Sequence, residues 1–461
     1  MLLKHTLSER IKGSFIEADR CLNCWDAPCN SNCPAGINVS SFIRSLNKGD
    51  YVSAAEIIEK ENPFGYICGW ICPQEALCQK NCIAKQLGRA IDIRTLQRFA
   101  IEIFRKDYKG NTFLNDCRVD KLNINIGGKN HIENIPTIPN HNQKRKKVAI
   151  IGAGPSGLTT GLFLLKMGYQ VVIFEKEQLA GGRITHGIPD FRLPREIGLA
   201  EIESVSCLLK IEYGKELGKD ITTSTLFKEN FSAIYLAIGK WRENSLDMKG
   251  SNFNGFFHAD NILIGSDWKR IQYQNAAVIG AGNVAMDVAR ALKENNKKSN
   301  IYIIYRRTSK EMPTWQEERE NGWEEGIIFQ FLSLPVEIIG DGSANIQMIK
   351  CARTLPGKID ITGRRQSDII KGCEFNIPVD MVVAALGYQP NHNLLISQGL
   401  IVDEKGFVLV DENLKTNIES VFAGGDIIGK DRNTVVQAVA DGKRAAINIH
   451  KYLSSRGENI G

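Results

Sequence analysis

Two glycine-rich turns, Gly152-Ala153-Gly154-Pro155-Ser156-Gly157 and Gly280-Ala281-Gly282-Asn283-Val284-Ala285, constrain the architecture of this chain more than any other feature. Each follows an apolar run (residues 147–152 or 276–280), opens an apolar helical stretch (158–166 or 284–292), and leads to a second apolar run (169–175 or 301–305). That order predicts a βαβ unit in each place. In such a unit the first glycine permits the tight turn, the second lets the backbone approach a pyrophosphate, and the third lets helix and strand pack closely. The helix N-terminus then stabilises the phosphate charge. Alanine in the third place of the second turn still allows close packing. Strands with glycine exits at 233–239 and 382–387, and another at 421–426, complete the two sheets. The expected fold class is therefore α/β: a helical N-terminal domain, then two Rossmann-like dinucleotide-binding domains, the second inserted in the first. The expected boundaries are 1–145 for the helical domain, 146–268 with 379–461 for the first dinucleotide domain, and 269–378 for the second.

With 461 residues the chain exceeds one ordinary core, which usually splits beyond about 250 residues. Hydrophobic content of 43% and charged content of 24% are those of an ordinary soluble protein, and no run approaches the roughly 18 apolar residues that span a bilayer. The N-terminus lacks an apolar export signal, so no membrane partner and a cytoplasmic home are expected. A net charge of +6, dispersed along the chain, excludes a nucleic-acid partner as an expectation. The one basic run, beginning at Lys144, precedes a strand and reads as a solvated linker.

Glu175 ends the second strand of the first unit, where an acid accepts from ribose hydroxyls. Gly181-Gly182-Arg183 and the segment from Gly187 to Pro194, with Arg192, follow it; Ala423-Gly424-Gly425-Asp426 and Thr434 come far downstream. This arrangement resembles the flavoproteins with two dinucleotide-binding domains, in which the late Gly-Gly-Asp returns to the FAD sheet and its Asp bonds the ribityl chain. The resemblance implies FAD at the first site, with Gly182, Arg192, Gly425, Asp426 and Thr434 among its contacts. The second site, which includes Gly387, reads as a nicotinamide-nucleotide site. No acid follows its second strand; Arg306 and Arg307 stand there, with Lys310 close by. A guanidinium matches a 2′-phosphate that an acid would repel, so the residues lean toward NADPH over NADH. A pair of solvated arginines is the competing reading.

Eight of the twelve cysteines fall between Cys21 and Cys82, in the runs Cys21-x2-Cys24-x4-Cys29-x3-Cys33-Pro and Cys68-x3-Cys72-Pro-x4-Cys78-x3-Cys82. Thiols packed at such spacing in a reducing compartment are metal or cluster ligands before they are disulfides. Interleaved runs with Cys-Pro suit two [4Fe-4S] clusters. Two four-thiolate zinc sites are the rival, although zinc ribbons pair C-x2-C knuckles. These runs, with the stretch from Ile91 to Phe99, resemble the N-terminal cluster and flavin domains shared by dihydropyrimidine dehydrogenase and the glutamate synthase small subunit. The resemblance covers nearly the whole chain. It implies Cys21, Cys24, Cys29 and Cys82 as ligands of one cluster, and Cys33, Cys72, Cys78 and Gln97 of the other, with Cys68 a bystander. Counting thiols alone selects Cys68 in place of Gln97, and the choice stays open on the sequence.

The resemblance further implies an NAD(P)H-oxidising FAD and iron–sulfur subunit of the bacterial dihydropyrimidine dehydrogenase type, serving pyrimidine degradation. Its electrons go to a separate FMN and iron–sulfur subunit that reduces uracil or thymine, since the sequence has no stretch for an FMN barrel of about 250 residues. No side-chain acid or base is expected at the hydride step. No C-x-x-C follows Cys24, so a redox dithiol is not expected in the flavin domain. The alternatives are the glutamate synthase small subunit, a related sulfide or ferredoxin oxidoreductase subunit, and a zinc-containing redox sensor.

Overall fold

The computed structural model describes residues 7–107, 146–359, 365–429 and 433–455. Cys117 and the first residues of the basic run lie outside them. The chain divides into two compact units, one formed by Met1–Thr185, Asp190–Lys240 and Pro390–Gly461, the other by His186–Pro189 and Trp241–Gln389.

The first unit begins with helices at Leu7–Asp19, Pro28–Ser31, Val39–Asn47, Tyr51–Glu61, Gly65–Ile71 and Ile93–Asp107. Their starts are written in the sequence: the Asn38 side chain accepts from Ser41 N at 3.1 Å and that of Asp50 from Ser53 N at 3.0 Å. Val39, Phe42, Ile43 and Leu46 recur at helical spacing and are all buried, as are Leu96, Phe99, Ala100 and Ile103. The helical N-terminal region expected from the sequence is thus present among the described residues.

The same unit holds a five-stranded sheet in the order Val421–Ala423, Ala233–Leu236, Lys147–Ile151, Gln170–Glu175, Lys210–Tyr213. Every pairing is parallel. Val148 to Ile151 are buried without alternation, as a central parallel strand covered on both faces requires. The glycine turn opens helix Pro155–Lys166, and the long helix Val435–Ser455 packs beside it.

The second unit repeats the plan: Phe256–His258, Met381–Ala384, Asn275–Ile279, Asn300–Ile304 and Ile328–Gln330, again all parallel. Between its last two strands in chain order lies a three-stranded antiparallel sheet, Ser333–Gly340, Ile346–Ile359 and Arg365–Pro378, that the sequence reading did not anticipate. Strand Arg365–Pro378 is mostly exposed and burial along Ile346–Ile359 follows no regular alternation, so the apolar period that marks a half-buried strand is absent. The unit is a dinucleotide fold inserted in the first fold's sequence, as expected.

Candidate functional site

In both sheets the strand order reverses between the fingerprint strand and its neighbour, which opens a crevice at the carboxyl ends of the strands. Each first glycine sits at that reversal with positive φ, 104° at Gly152 and 127° at Gly280. A Cβ at Gly152 would overlap the carbonyl of Ala237, and one at Gly280 the carbonyl of Ala385, each just beyond the neighbouring strand. The glycine exits of those strands and the fingerprint turns are therefore one construction seen twice. A Cβ on Gly157 would overlap the Gly152 carbonyl; Ala285, fully buried, fills the equivalent place in the second turn.

Gly154 and Gly282 differ from these. Both are extended at a helix N-cap, with φ/ψ of −76°/178° and −85°/178°, and a Cβ on either would meet no protein atom within 4 Å. No internal contact demands glycine there. The space beside each helix N-terminus, with its unpaired N–H groups, fits a pyrophosphate.

Around the first turn, the Glu175 carboxylate is buried and accepts from Ala153 N at 2.7 Å and Glu177 N at 2.9 Å. Gly181 N donates to the Ala153 carbonyl at 2.8 Å, and a Cβ on Gly182 would lie 3.2 Å from the Gly154 Cα. Arg192 stands, half-buried, just before helix Arg195–Ser206. The distant Gly424-Gly425-Asp426 turn closes on the same place: a Cβ on Gly425 would lie 3.2 Å from the Ser156 side chain, whose hydroxyl bonds the Tyr235 hydroxyl at 2.7 Å. Gly425 N donates to Asp441 at 3.1 Å, and Thr434 caps the C-terminal helix through Gln437 N at 3.2 Å. Burial pushes the Asp426 carboxyl up to about 6, against the pull of Lys240 and Arg183 and with a push from Asp441. Lys240, itself buried, reaches Asn433 and stands 3.9 Å from Asp426. Lys240 and Asp441 carried no signal in the sequence, because each acts across a long separation.

At the second turn, Asn283 accepts from Trp315 N at 3.1 Å and Thr314 donates to the Ala281 carbonyl. Val284 packs against the core of this unit. Gly387, with φ of 84°, accepts from Asn244 N at 3.0 Å. The arginine pair separates: Arg307 donates through Nε to the Arg365 carbonyl at 2.6 Å, whereas Arg306 is exposed and its guanidinium has no hydrogen-bond partner among the described residues. Lys310 is exposed in the short turn Ser309–Glu311.

The cysteines gather in two groups. Cys21, Cys24, Cys29 and Cys82 act on one another electrostatically, and so do Cys33, Cys68, Cys72 and Cys78; Cys29 and Cys78 link the groups as neighbours. Burial raises the thiols of Cys21 and Cys33 and takes Cys29 up to about 11, so they are protonated at neutral pH without a cation. Coordination would deprotonate them outright. Cys68 shares a hydrogen bond with Cys72, while Gln97, buried, donates from Nε2 to the Gly65 carbonyl at 2.6 Å. Among the described residues no three Cys, His, Asp or Glu close around a single-metal position. Zinc with Zn–S of about 2.3 Å would draw four thiolates to about 3.8 Å apart, whereas a cubane spreads its ligands over the corners of a larger body. Four thiols in a group match the four corners of a cubane.

Glu201, on helix Arg195–Ser206, joins the cysteine module to the first dinucleotide fold. Its fully buried carboxylate accepts from Tyr66 N at 3.0 Å, Ile67 N at 2.6 Å and Arg105 Nη2 at 2.8 Å. Burial pushes the carboxyl above its ordinary range, opposed by Arg105 and the two amides.

Fold and site define a two-dinucleotide oxidoreductase of the FAD and NAD(P)H type with a cysteine-rich module at its N-terminal side. The chain belongs to the pyridine nucleotide-disulphide oxidoreductase family, which matches residues 146–442. Residues 5–109 match dihydropyrimidine dehydrogenase domain II, 4Fe-4S cluster. The chain is 28% identical over 457 residues to the Escherichia coli glutamate synthase [NADPH] small chain, covering 95% of this chain and 91% of that one. It is 33% identical over 441 residues to the NADP(+)-dependent formate dehydrogenase subunit beta of Moorella thermoacetica, covering 93% of this chain but 60% of that one. For the NADPH-Fe(3+) oxidoreductase subunit beta of Geobacter sulfurreducens the identity is 31%, over 94% of this chain and 65% of that one. Two solved structures share the fold: Mycobacterium tuberculosis FprA in complex with NADPH (TM-score 0.56, 19% identity, 68% of this chain and 86% of that one), and T. acidophilum thioredoxin reductase (0.52, 20%, 67% and 100%). No helix among the described residues is long and apolar enough to cross a membrane.

Proposed function

We propose that the chain is the NADPH-oxidising FAD and iron–sulfur subunit of a hetero-oligomer, passing electrons through two [4Fe-4S] clusters to a separate catalytic subunit. The observation that carries this reading is the pairing of two open phosphate cradles, at Gly154 and Gly282, with two groups of four cysteines. FAD held at the first cradle would supply a hydride acceptor for the nicotinamide and one-electron release toward the clusters. The protein's own part is to hold each dinucleotide by a helix N-terminus, to offer Glu175 to a ribose and to keep Asp426 beside the first turn. The catalytic subunit is an FMN and iron–sulfur protein reducing uracil or thymine, a choice supported by the domain II match. A glutamate synthase large subunit is the second reading, favoured by the small chain's alignment over 91% of its length.

The nucleotide preference is read from Arg306, exposed at the end of strand Asn300–Ile304 and not engaged as Arg307 is. Arg306→Ala is expected to weaken NADPH much more than NADH in anaerobic flavin-reduction titrations, because the 2′-phosphate loses a charge-assisted partner. Equal losses for both nucleotides would remove the case for NADPH.

A further inference from the structure

Three consecutive residues of the helix Val435–Ser455 face three different structures. Asp441 accepts from Gly425 N in the Gly-Gly-Asp turn. Gly442 lies against Ser156 of the first glycine turn, and its carbonyl accepts from Thr160 at 3.0 Å. Lys443 leaves toward the cysteine module, where its ammonium pairs with Glu61 and donates to the Ala35 carbonyl at 3.3 Å, two residues past Cys33. A Cβ on Gly36 would lie 3.8 Å from the same nitrogen. One helix turn thus braces the phosphate cradle and places an ammonium against the turn that follows Cys33.

We propose that Lys443 and Glu61 form an opposed charge pair that sets the reduction potential of the cluster held by the Cys33 group, with Lys443 as a positioning residue for electron transfer out of the flavin. The inference rests on the reading that the Cys33 group holds an iron–sulfur cluster. Reduction adds one electron, and so one negative charge, to the cluster, with no bond made or broken. A cation beside it stabilises the reduced form and an anion destabilises it, most strongly where burial limits solvent screening. Lys443 is three-quarters buried and feels the Cys33 thiol electrostatically. Other charges stand near this group: Lys60, which repels Lys443, Arg94, which donates to the Cys72 carbonyl at 3.2 Å, Asp92, which accepts from Gln74, and Arg98, against Gly69. Because Glu61 partly neutralises Lys443, removing either partner exposes the other, and the two substitutions act in opposite directions.

The test is a redox titration of the anaerobically purified full chain followed by electron paramagnetic resonance, with iron measured on each sample. Lys443→Met is expected to lower the reduced-to-oxidised ratio of one cluster at fixed poise by at least tenfold, or 59 mV for a one-electron couple. Glu61→Gln should raise it by a similar factor, Lys443→Arg should hold it near the wild-type value, and the cluster of the Cys21 group should not move. Variants that keep their iron and shift neither cluster, or both in the same direction, overturn the proposal. Should Lys443→Met lose its iron, an unshifted Glu61→Gln overturns it by itself. A wild-type chain without iron defeats the underlying cluster reading instead.

Discussion

Removing the Glu201 carboxylate should loosen the cysteine module at a defined place. Helix Gly65–Ile71 carries Cys68 and ends at Cys72, and its first amides, Tyr66 and Ile67, find their acceptor in Glu201 of the dinucleotide fold. Glu201→Ala leaves two buried N–H groups without an acceptor, at about 1–3 kcal/mol each. Arg105 keeps weaker company, Glu59 at 3.5 Å and the Tyr66 ring at 5.1 Å, so its stranded charge adds less than a fully isolated one would. The sum agrees with the roughly 3–5 kcal/mol seen when one partner of a buried ion pair is removed. At about 1.4 kcal/mol per decade, that is roughly a hundredfold to a few thousandfold loss of protection. Glu201→Gln retains one acceptor and should cost about half as much, about 1–3 kcal/mol. Amide hydrogen exchange reads this directly: Tyr66 and Ile67 should lose protection by those factors while the strand Lys147–Ile151 keeps its own. Protection at Tyr66 and Ile67 unchanged within tenfold in Glu201→Ala would refute the reasoning.

Iron content separates the two candidates for the last ligand: the grouping of Cys68 with Cys33, Cys72 and Cys78 predicts about four irons in Cys68→Ala and about eight in Gln97→Ala. The reverse result would support the ligand set with Gln97 that the family resemblance implies. Asp426 should make the flavin-free protein less stable as pH rises from about 4, its ordinary value in an unfolded chain, to about 6, because the fold binds that proton more tightly than the unfolded chain does. Asp426→Asn should flatten that part of the pH profile of thermal unfolding; an unchanged slope would show that another group is responsible.

The two dinucleotide turns were legible because their constraints are local. A positive φ at Gly152 and Gly280 and the close approach at Gly157 act within a few residues, and apolar runs on either side announce their strands. The late Gly424-Gly425-Asp426 turn was legible only through resemblance, since what brings it to Ser156 is the sheet order, with Val421–Ala423 paired to Ala233–Leu236. The antiparallel sheet at 333–378 escaped because burial along its two longer strands does not alternate, so they leave no periodic apolar signal. Glu201 and Lys443 escaped for another reason. Their partners are 135 and 382 residues away in sequence, and an acid or lysine on an amphipathic helix looks the same whether it meets solvent or a buried amide. Cys68 shows the limit of spacing arguments: the sequence supplies nine candidate ligands for eight places, and spacing does not choose between Cys68 and Gln97.

The central claim, that electrons enter at a nicotinamide site and leave through clusters in the cysteine module, is tested most directly by anaerobic purification with iron, sulfide and zinc analysis, followed by titration with NADPH under an absorption spectrum. About eight irons per chain, as two four-iron clusters require, with bleaching of the flavin band on addition of NADPH, is the predicted result. Zinc in place of iron, or a flavin that NADPH leaves oxidised, would contradict it.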